Sequence, residues 1–223
     1  RVLTATDPNG RITTYAYYSD NDADLGRRGN LQSITNPLGH VTWTTAYDGA
    51  GRPLVTIDPN GLTTVLTYDA RGRLINRNVG GEQTSYTYDG VGQLTGVVRA
   101  DDSTLVFTYD AAHRLVGIQD GLGARIEYTL DTSGNRVQER TYDLGGTLAR
   151  TRGRAYDALN RLVQDLGAEG QSTAYGYDLG GNITSRSDPL AHTTTSSYDA
   201  LNRLTQTIDP AGGTTGYAYD ASG

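Results

Sequence analysis

Apolar and aromatic side chains recur at every second position in short runs along this chain. Thr64-Leu66-Tyr68, Thr84-Tyr86-Tyr88, Leu105-Phe107-Tyr109, Ile126-Tyr128-Leu130, Thr173-Tyr175-Tyr177 and Thr215-Tyr217-Tyr219 are such runs. The positions between them are small or polar, as with Ser85 and Thr87, Glu127 and Thr129, or Thr195 and Ser197. A period of two with one apolar side is the pattern of a β-strand that covers one face. No stretch sustains a helical period. An apolar residue returns shortly after each run, at Leu74, Leu94, Leu115, Leu162, Ile183 and Leu204, and opens the next strand.

Turn chemistry separates the strands. Asp follows the closing Tyr, and four residues past the Tyr position stand Gly51, Gly72, Gly92, His113, Gly134, Asn160, Gly181, Asn202 and Gly223. Gly, Asn and His tolerate positive φ, so this spacing predicts a type I turn closed by a G1 bulge. Half a unit later come Asp-Pro-Asn-Gly at 7–10 and 58–61, Asn-Pro-Leu-Gly at 36–39, Asp-Pro-Leu-Ala at 188–191 and Asp-Pro-Ala-Gly at 209–212. Pro presets the first central φ of these second turns, and Gly the exit. Two turns per unit leave two strands, so the unit is a β-hairpin.

Anchored on Tyr47, the units step by 21, 20, 21, 21, 26, 21, 21 and 21 residues to Tyr219, with Leu130 standing for Tyr and Tyr17 as an earlier member. The repeat fills residues 1–223 as a single region of about ten hairpins. The expected fold is all-β, an antiparallel meander of about twenty strands that would extend ~90 Å. Open twisted sheets seldom exceed about ten strands without curling, so a curled, spiralling sheet with its Tyr face on the packed side is expected. The insertion near residues 18–28 and the long step from Leu130 to Tyr156 predict longer loops or extended hairpins. Val137 arrives one residue late, which predicts a bulge or register slip there.

The repeated positions are the candidate structural residues: Tyr47, Asp48, Gly51 and Arg52; Tyr68, Asp69, Gly72 and Arg73; Tyr88, Asp89 and Gly92; Tyr109, Asp110 and Arg114. The series continues with Tyr156, Asp157, Asn160 and Arg161; Tyr177, Asp178 and Gly181; Tyr198, Asp199, Asn202 and Arg203; and Tyr219 with Asp220. The Arg after each turn can pair with the turn Asp or lie on a Tyr face, tying hairpins together.

Composition narrows the function. The chain has 16 Tyr and 29 Gly, no Cys and a net charge of −6. Disulfides, zinc knuckles and thiol chemistry are excluded, and no apolar run approaches a membrane span. Lys and Met are absent, the latter also from position 1, so an internal fragment of a longer polypeptide is expected.

Tyr-Asp-Ala-Arg-Gly-Arg-Leu at 68–74 and Tyr-Asp-Ala-Leu-Asn-Arg-Leu at 156–162 and 198–204, with the Pro-Gly turns and Thr-x-Tyr-x-Tyr-Asp, resemble the RHS or YD repeat. The resemblance implies a β-strip that spirals into a hollow shell. In bacterial Rhs polymorphic toxins, toxin-complex subunits and type VI secretion effectors such a shell encloses a C-terminal toxin polypeptide; in teneurins it is an adhesive ectodomain. It implies neighbouring repeats of the same parent chain and an enclosed toxin as partners, and a secreted or cell-surface location. The parent would carry its toxin and any autoproteolytic site outside this stretch.

Other motifs have plainer readings. Asp-Pro-Asn-Gly-Leu at 58–62 matches the start of the self-cleavage segment of such proteins but continues as an ordinary repeat, so it is read as a turn. Asp20, Asp22 and Asp24 alternate as calcium ligands would, but Leu25 and Leu31 stand where an EF-hand needs Gly and Glu. A solvated acidic loop is the simpler reading. Arg-Thr-Arg-Gly-Arg at 150–154 is read as a salt-bridged loop and not as a nucleic-acid patch. Asn182-Ile-Thr is a formal glycosylation sequon at a post-turn position. His40, His113 and His192 sit at turns. No cofactor, metal site or catalytic centre is expected, because a residue repeated in every unit marks no unique active site. The competing function is carbohydrate binding or surface adhesion by the aromatic face, for which Tyr86 and Tyr175 would be the test positions.

Overall fold

The computed structural model describes residues 1–220; Gly223, expected as a turn glycine, lies outside them. The described residues form twenty strands and no helix. They fall into two units, Arg1–Val106 and Phe107–Gly223. Each unit is a meander in which every strand pairs antiparallel with the next.

The first unit contains β1 (Thr4–Thr6), β2 (Ile12–Tyr17), β3 (Leu31–Thr35), β4 (Val41–Tyr47), β5 (Pro53–Ile57), β6 (Thr63–Tyr68), β7 (Leu74–Val79), β8 (Glu82–Tyr88), β9 (Leu94–Val98) and the start of β10 (Thr104–Tyr109). The second contains β11 (Leu115–Asp120), β12 (Arg125–Leu130), β13 (Arg136–Tyr142), β14 (Leu148–Tyr156), β15 (Leu162–Leu166), β16 (Ser172–Tyr177), β17 (Ile183–Ser187), β18 (Thr193–Tyr198), β19 (Leu204–Ile208) and β20 (Thr214–Gly216).

The alternation read from the sequence is visible in the exposure of single strands. In β6, Thr64, Leu66 and Tyr68 are half-buried while Val65 and Thr67 are exposed. Packing differs from the expectation in one respect. Among the described residues a strand within each unit contacts only its neighbours in sequence, so they place no second layer on the Tyr face. Among the described large hydrophobics only Tyr18 and Tyr47 are buried, at 9% and 8% exposure. Cover for the aromatic rings comes sideways, from the next hairpin.

The expected turns are present. Gly51 N–H donates to the Asp48 carbonyl at 3.0 Å and Asp48 N–H to the Arg52 carbonyl at 3.0 Å, with φ of 76° at Gly51. His113, Asn160 and Asn202 take the same left-handed conformation, at φ 64°, 61° and 60°. Each such turn shifts the register by one at the closing residue, so Tyr198 faces Leu204 while Ser197 faces Gln206. That is the G1 bulge.

The slip expected at Val137 does not occur as an extra feature. Leu130 faces Arg136 and Thr129 faces Gln138, the offsets of every regular unit. Arg136 fills the position Leu holds elsewhere, because the backbone register is set by the turn, not by the side chain that follows it.

The Pro turns end on Gly at φ 77° to 87° (Gly10, Gly39, Gly61, Gly212), except that Ala191 is held at φ 63°. A left-handed alanine costs about 1–2 kcal/mol. Ala191→Gly is therefore expected to stabilise the protein by about 1 kcal/mol, after the larger unfolded-state entropy of Gly is deducted. Urea unfolding measures this, and an unchanged midpoint would contradict it. Asn202→Gly should gain nothing, since Asn tolerates this region and its Oδ1 accepts a bond from Asn182 Nδ2 at 2.8 Å.

Candidate functional site

The candidate functional element is a clasp that recurs along the strip. Its base is the turn Asp. Asp157 Oδ1 accepts the N–H groups of Leu159 and Arg161, both at 2.9 Å, and Oδ2 accepts Arg161 Nε at 2.7 Å. Asp48, Asp69, Asp110 and Asp199 hold Arg52, Arg73, Arg114 and Arg203 in the same way. One carboxylate thus fixes both the turn and the side chain four residues on.

The Arg so held reaches the next unit. Arg161 lies 4.6 Å over the Tyr177 ring, and its Nη1 donates to the Asp178 carbonyl at 3.0 Å. Arg52 stacks on Tyr68, Arg73 on Tyr88 and Arg203 on Tyr219, at 4.9, 4.7 and 4.6 Å. Arg73 and Arg114 also donate to the carbonyls of Asp89 and Asp131, at 3.2 and 2.9 Å. At Gly72, where φ is 84°, the glycine leaves room for the Arg52 guanidinium to pass over the turn.

The Tyr closes the clasp backwards. Tyr88, Tyr177 and Tyr219 donate their hydroxyls to the carbonyls of Leu74, Leu162 and Leu204, each at 2.8 Å. Tyr198 reaches Ile183 at 3.1 Å, and Tyr47 reaches Leu31. Tyr109 closes β10 and Tyr156 closes β14 at the same strand-end position. Gly92 and Gly181 provide the positive φ of their turns. In these units ring, guanidinium and carboxylate are engaged within the strip.

The carboxyls of Asp48, Asp69, Asp110, Asp157 and Asp199 are held below the usual carboxylate range. The main cause is the backbone N–H four residues on, with the Arg side chain adding and partial desolvation opposing. In Asp131 and Asp178 the leading cause is the Asn four residues on.

Several participants were not visible as such in the repeat pattern. Asn135 and Asn182 stand in the Arg slot, bond to Asp131 and Asp178 at 2.9 Å, and donate to Asn160 and Asn202 of the next turn at 2.8 Å. The sequon residue Asn182 is thereby a link between turns. Tyr142-Asp143 with Gly146 forms a further turn of the Tyr-Asp type, out of phase, at the far end of the extended β13–β14 hairpin. Arg125 stacks 3.8 Å over Tyr142, whose hydroxyl donates to Glu127 at 3.0 Å. The signal is the Tyr-Asp-Leu-Gly-Gly string itself, which lies within the long step from Leu130 to Tyr156 that predicts a longer loop or extended hairpin.

The 18–30 segment is more than a solvated acidic loop. Tyr18 donates to the Thr44 carbonyl at 2.9 Å, and Arg27 lies 5.2 Å over the Tyr18 ring. Asp22 and Asp24 face Arg27 at 3.6 and 3.2 Å. Gly26 is required, since a Cβ would meet the Tyr47 carbonyl at 2.5 Å. The 150–154 stretch lies in β14, not in a loop, and Arg152 pairs with Asp165 through two hydrogen bonds. Asp58 Oδ1 accepts the N–H groups of Asn60 and Leu62 at 2.9 and 2.8 Å, the same capping role as Asp7 has in its turn. Among the described residues no group of three His, Asp or Glu is gathered for a metal, and no helix is long and apolar enough to cross a membrane.

Comparison with known proteins places this geometry. A family model described as teneurin YD-shell matches residues 9–141, and one described as RHS repeat matches 156–193 and 198–223. No curated protein matches the chain. The Tc holotoxin pore of Photorhabdus luminescens, in a TccC3 mutant form, is 17% identical with a TM-score of 0.72; the match covers 94% of this chain and 13% of that one. The crystal structure of TcdB2-TccC3 is 18% identical with a TM-score of 0.73, over 96% of this chain and 14% of that one. At this identity the likeness is one of fold, and the chain spans only a small part of either neighbour.

Proposed function

Because the chain belongs to the teneurin YD-shell family, we propose that it is a stretch of shell wall, without catalysis of its own, that helps to enclose a toxin polypeptide in a secreted bacterial toxin. The observation that carries this reading is the clasp. Among the described residues the turn Asp fixes an Arg at five turns, four of these Arg stack on the Tyr of the next hairpin, and Tyr hydroxyls such as those of Tyr88, Tyr177 and Tyr219 bond back to the hairpin before. Such a chain of nearest-neighbour links makes a continuous barrier from a sheet one layer thick. A wall needs cohesion along its length, and the repeated residues supply it.

Glycan binding through the aromatic face has less support. The strand-end rings of Tyr68, Tyr88, Tyr177 and Tyr219 are covered by Arg, and Tyr86 and Tyr175 are half-buried.

Limited proteolysis of the parent protein tests the wall. The repeat region is expected to resist trypsin, despite its 19 Arg, long after flexible linkers are cut. Digestion of the repeats as fast as a linker would end the proposal.

A further inference from the structure

The second unit carries a cationic band on its Tyr face. Side chains that face each other across paired strands share a face, and alternate residues along a strand do too. Tyr128 faces Glu139, Glu139 faces Arg152, Arg154 faces Asp165, Asp165 faces Thr173, and Tyr175 faces Arg186. Arg150, Arg152 and Arg154 therefore point the same way as Tyr128 and Tyr175, along β14, the longest strand. Arg136 joins them, 4.0 Å over the Tyr128 ring.

Five arginines thus share this face with two carboxylates, Glu139 and Asp165, in a chain whose net charge is −6. Only Arg152 is neutralised, by Asp165. The Asp165 carboxyl is held below the usual range by the Arg152 side chain first, through its two hydrogen bonds, with the charges of Arg154 and Arg150 adding. Arg150 and Arg186 are exposed and Arg154 is half-buried; none of the three has an ion-pair partner among the described residues.

We infer that this face of β13 to β17 docks an extended acidic polypeptide segment, with carboxylates at alternate residues lying along β14. Alternate residues of an extended chain repeat every ~6.6 Å, the spacing of Arg150, Arg152 and Arg154 themselves. An uninterrupted polyanion fits less well. Glu139 and Asp165 flank the arginines on both neighbouring strands and repel successive phosphates, whereas a peptide can set neutral or basic residues against them. The aromatic rings of Tyr128 and Tyr175 offer apolar contact to those intervening residues. The inference uses register and charge alone, and stands or falls apart from the shell reading.

Binding of a short fluorescein-labelled peptide with Glu at every second position, separated by Thr, tests it on the full chain by anisotropy. Saturable binding that weakens with added salt is expected, together with about tenfold weaker binding by the Arg150→Glu, Arg154→Glu double variant. The same peptide with Lys for Glu should not bind. Arg150→Gln, Arg154→Gln serves as the second variant if the reversals disturb folding, judged by circular dichroism, and should weaken binding several-fold. Absence of saturable binding to the Glu peptide, equal binding by the variants, or tighter binding of a single-stranded oligonucleotide of like length would overturn the proposal.

Discussion

Arg161→Ala is expected to destabilise the protein by about 2 kcal/mol and to uncouple the hairpins on either side of it. The stacking of Arg161 on Tyr177 at 4.6 Å is worth about 0.5–2 kcal/mol. The bond from its Nη1 to the Asp178 carbonyl at 3.0 Å adds about 1 kcal/mol as a charge-assisted bond to a half-buried group. The ion pair to Asp157 is half-buried but still reached by solvent, whose screening keeps its own contribution small beside these. Arg161→Lys keeps the charge but has no planar fork to stack and bridge at once, so it should recover only part of the loss.

Because units interact with nearest neighbours only, the damage should be local. Amide hydrogen exchange should rise in β15 to β17 and stay unchanged in β12 and β13. Uniform loss of protection through the second unit, or none anywhere, would count against the clasp as the link that sets cohesion. Tyr177→Phe offers a milder check, since it removes only the bond to the Leu162 carbonyl at 2.8 Å and leaves the stacking.

The hairpin architecture was legible because its determinants are local. Alternation sets strand faces, Asp and a left-handed residue set the turn, and both lie within a few residues of each other. The turn held its register even where the side chains changed, as at Leu130 and Arg136. The reach of Arg161 to Tyr177 was legible only as a possibility, because the sequence gives spacing and not the direction of a guanidinium. Tyr142-Asp143 was hidden by phase: a repeat search rewards regular intervals and discounts the same motif at the opposite sheet edge. The thinness of the sheet was not legible at all. A strand with one apolar face reads alike whether that face meets a second layer or the flank of the next hairpin.

The placing of cohesion in turn carboxylates has a consequence for acid. Asp48, Asp69, Asp110, Asp157 and Asp199 each have a folded pKa below the ordinary carboxylate value, first through the backbone N–H four residues on. The folded state therefore binds fewer protons than the unfolded chain between those two values. Stability from these groups is full above the ordinary carboxylate pKa of about 3.9 and is lost as pH falls through the lowered values. Protonation also releases the Arg that each carboxylate holds, so turn and inter-hairpin link weaken together. Urea midpoints followed by circular dichroism should stay level from about pH 7 to pH 5 and fall steeply below about pH 4. The fall should be shallower in Asp157→Asn, which has one fewer carboxylate to titrate and starts from lower stability. A midpoint that holds level down to about pH 2 would show that the sheet coheres without its carboxylates, and that the clasp described above is an accompaniment to the fold and not its fastening.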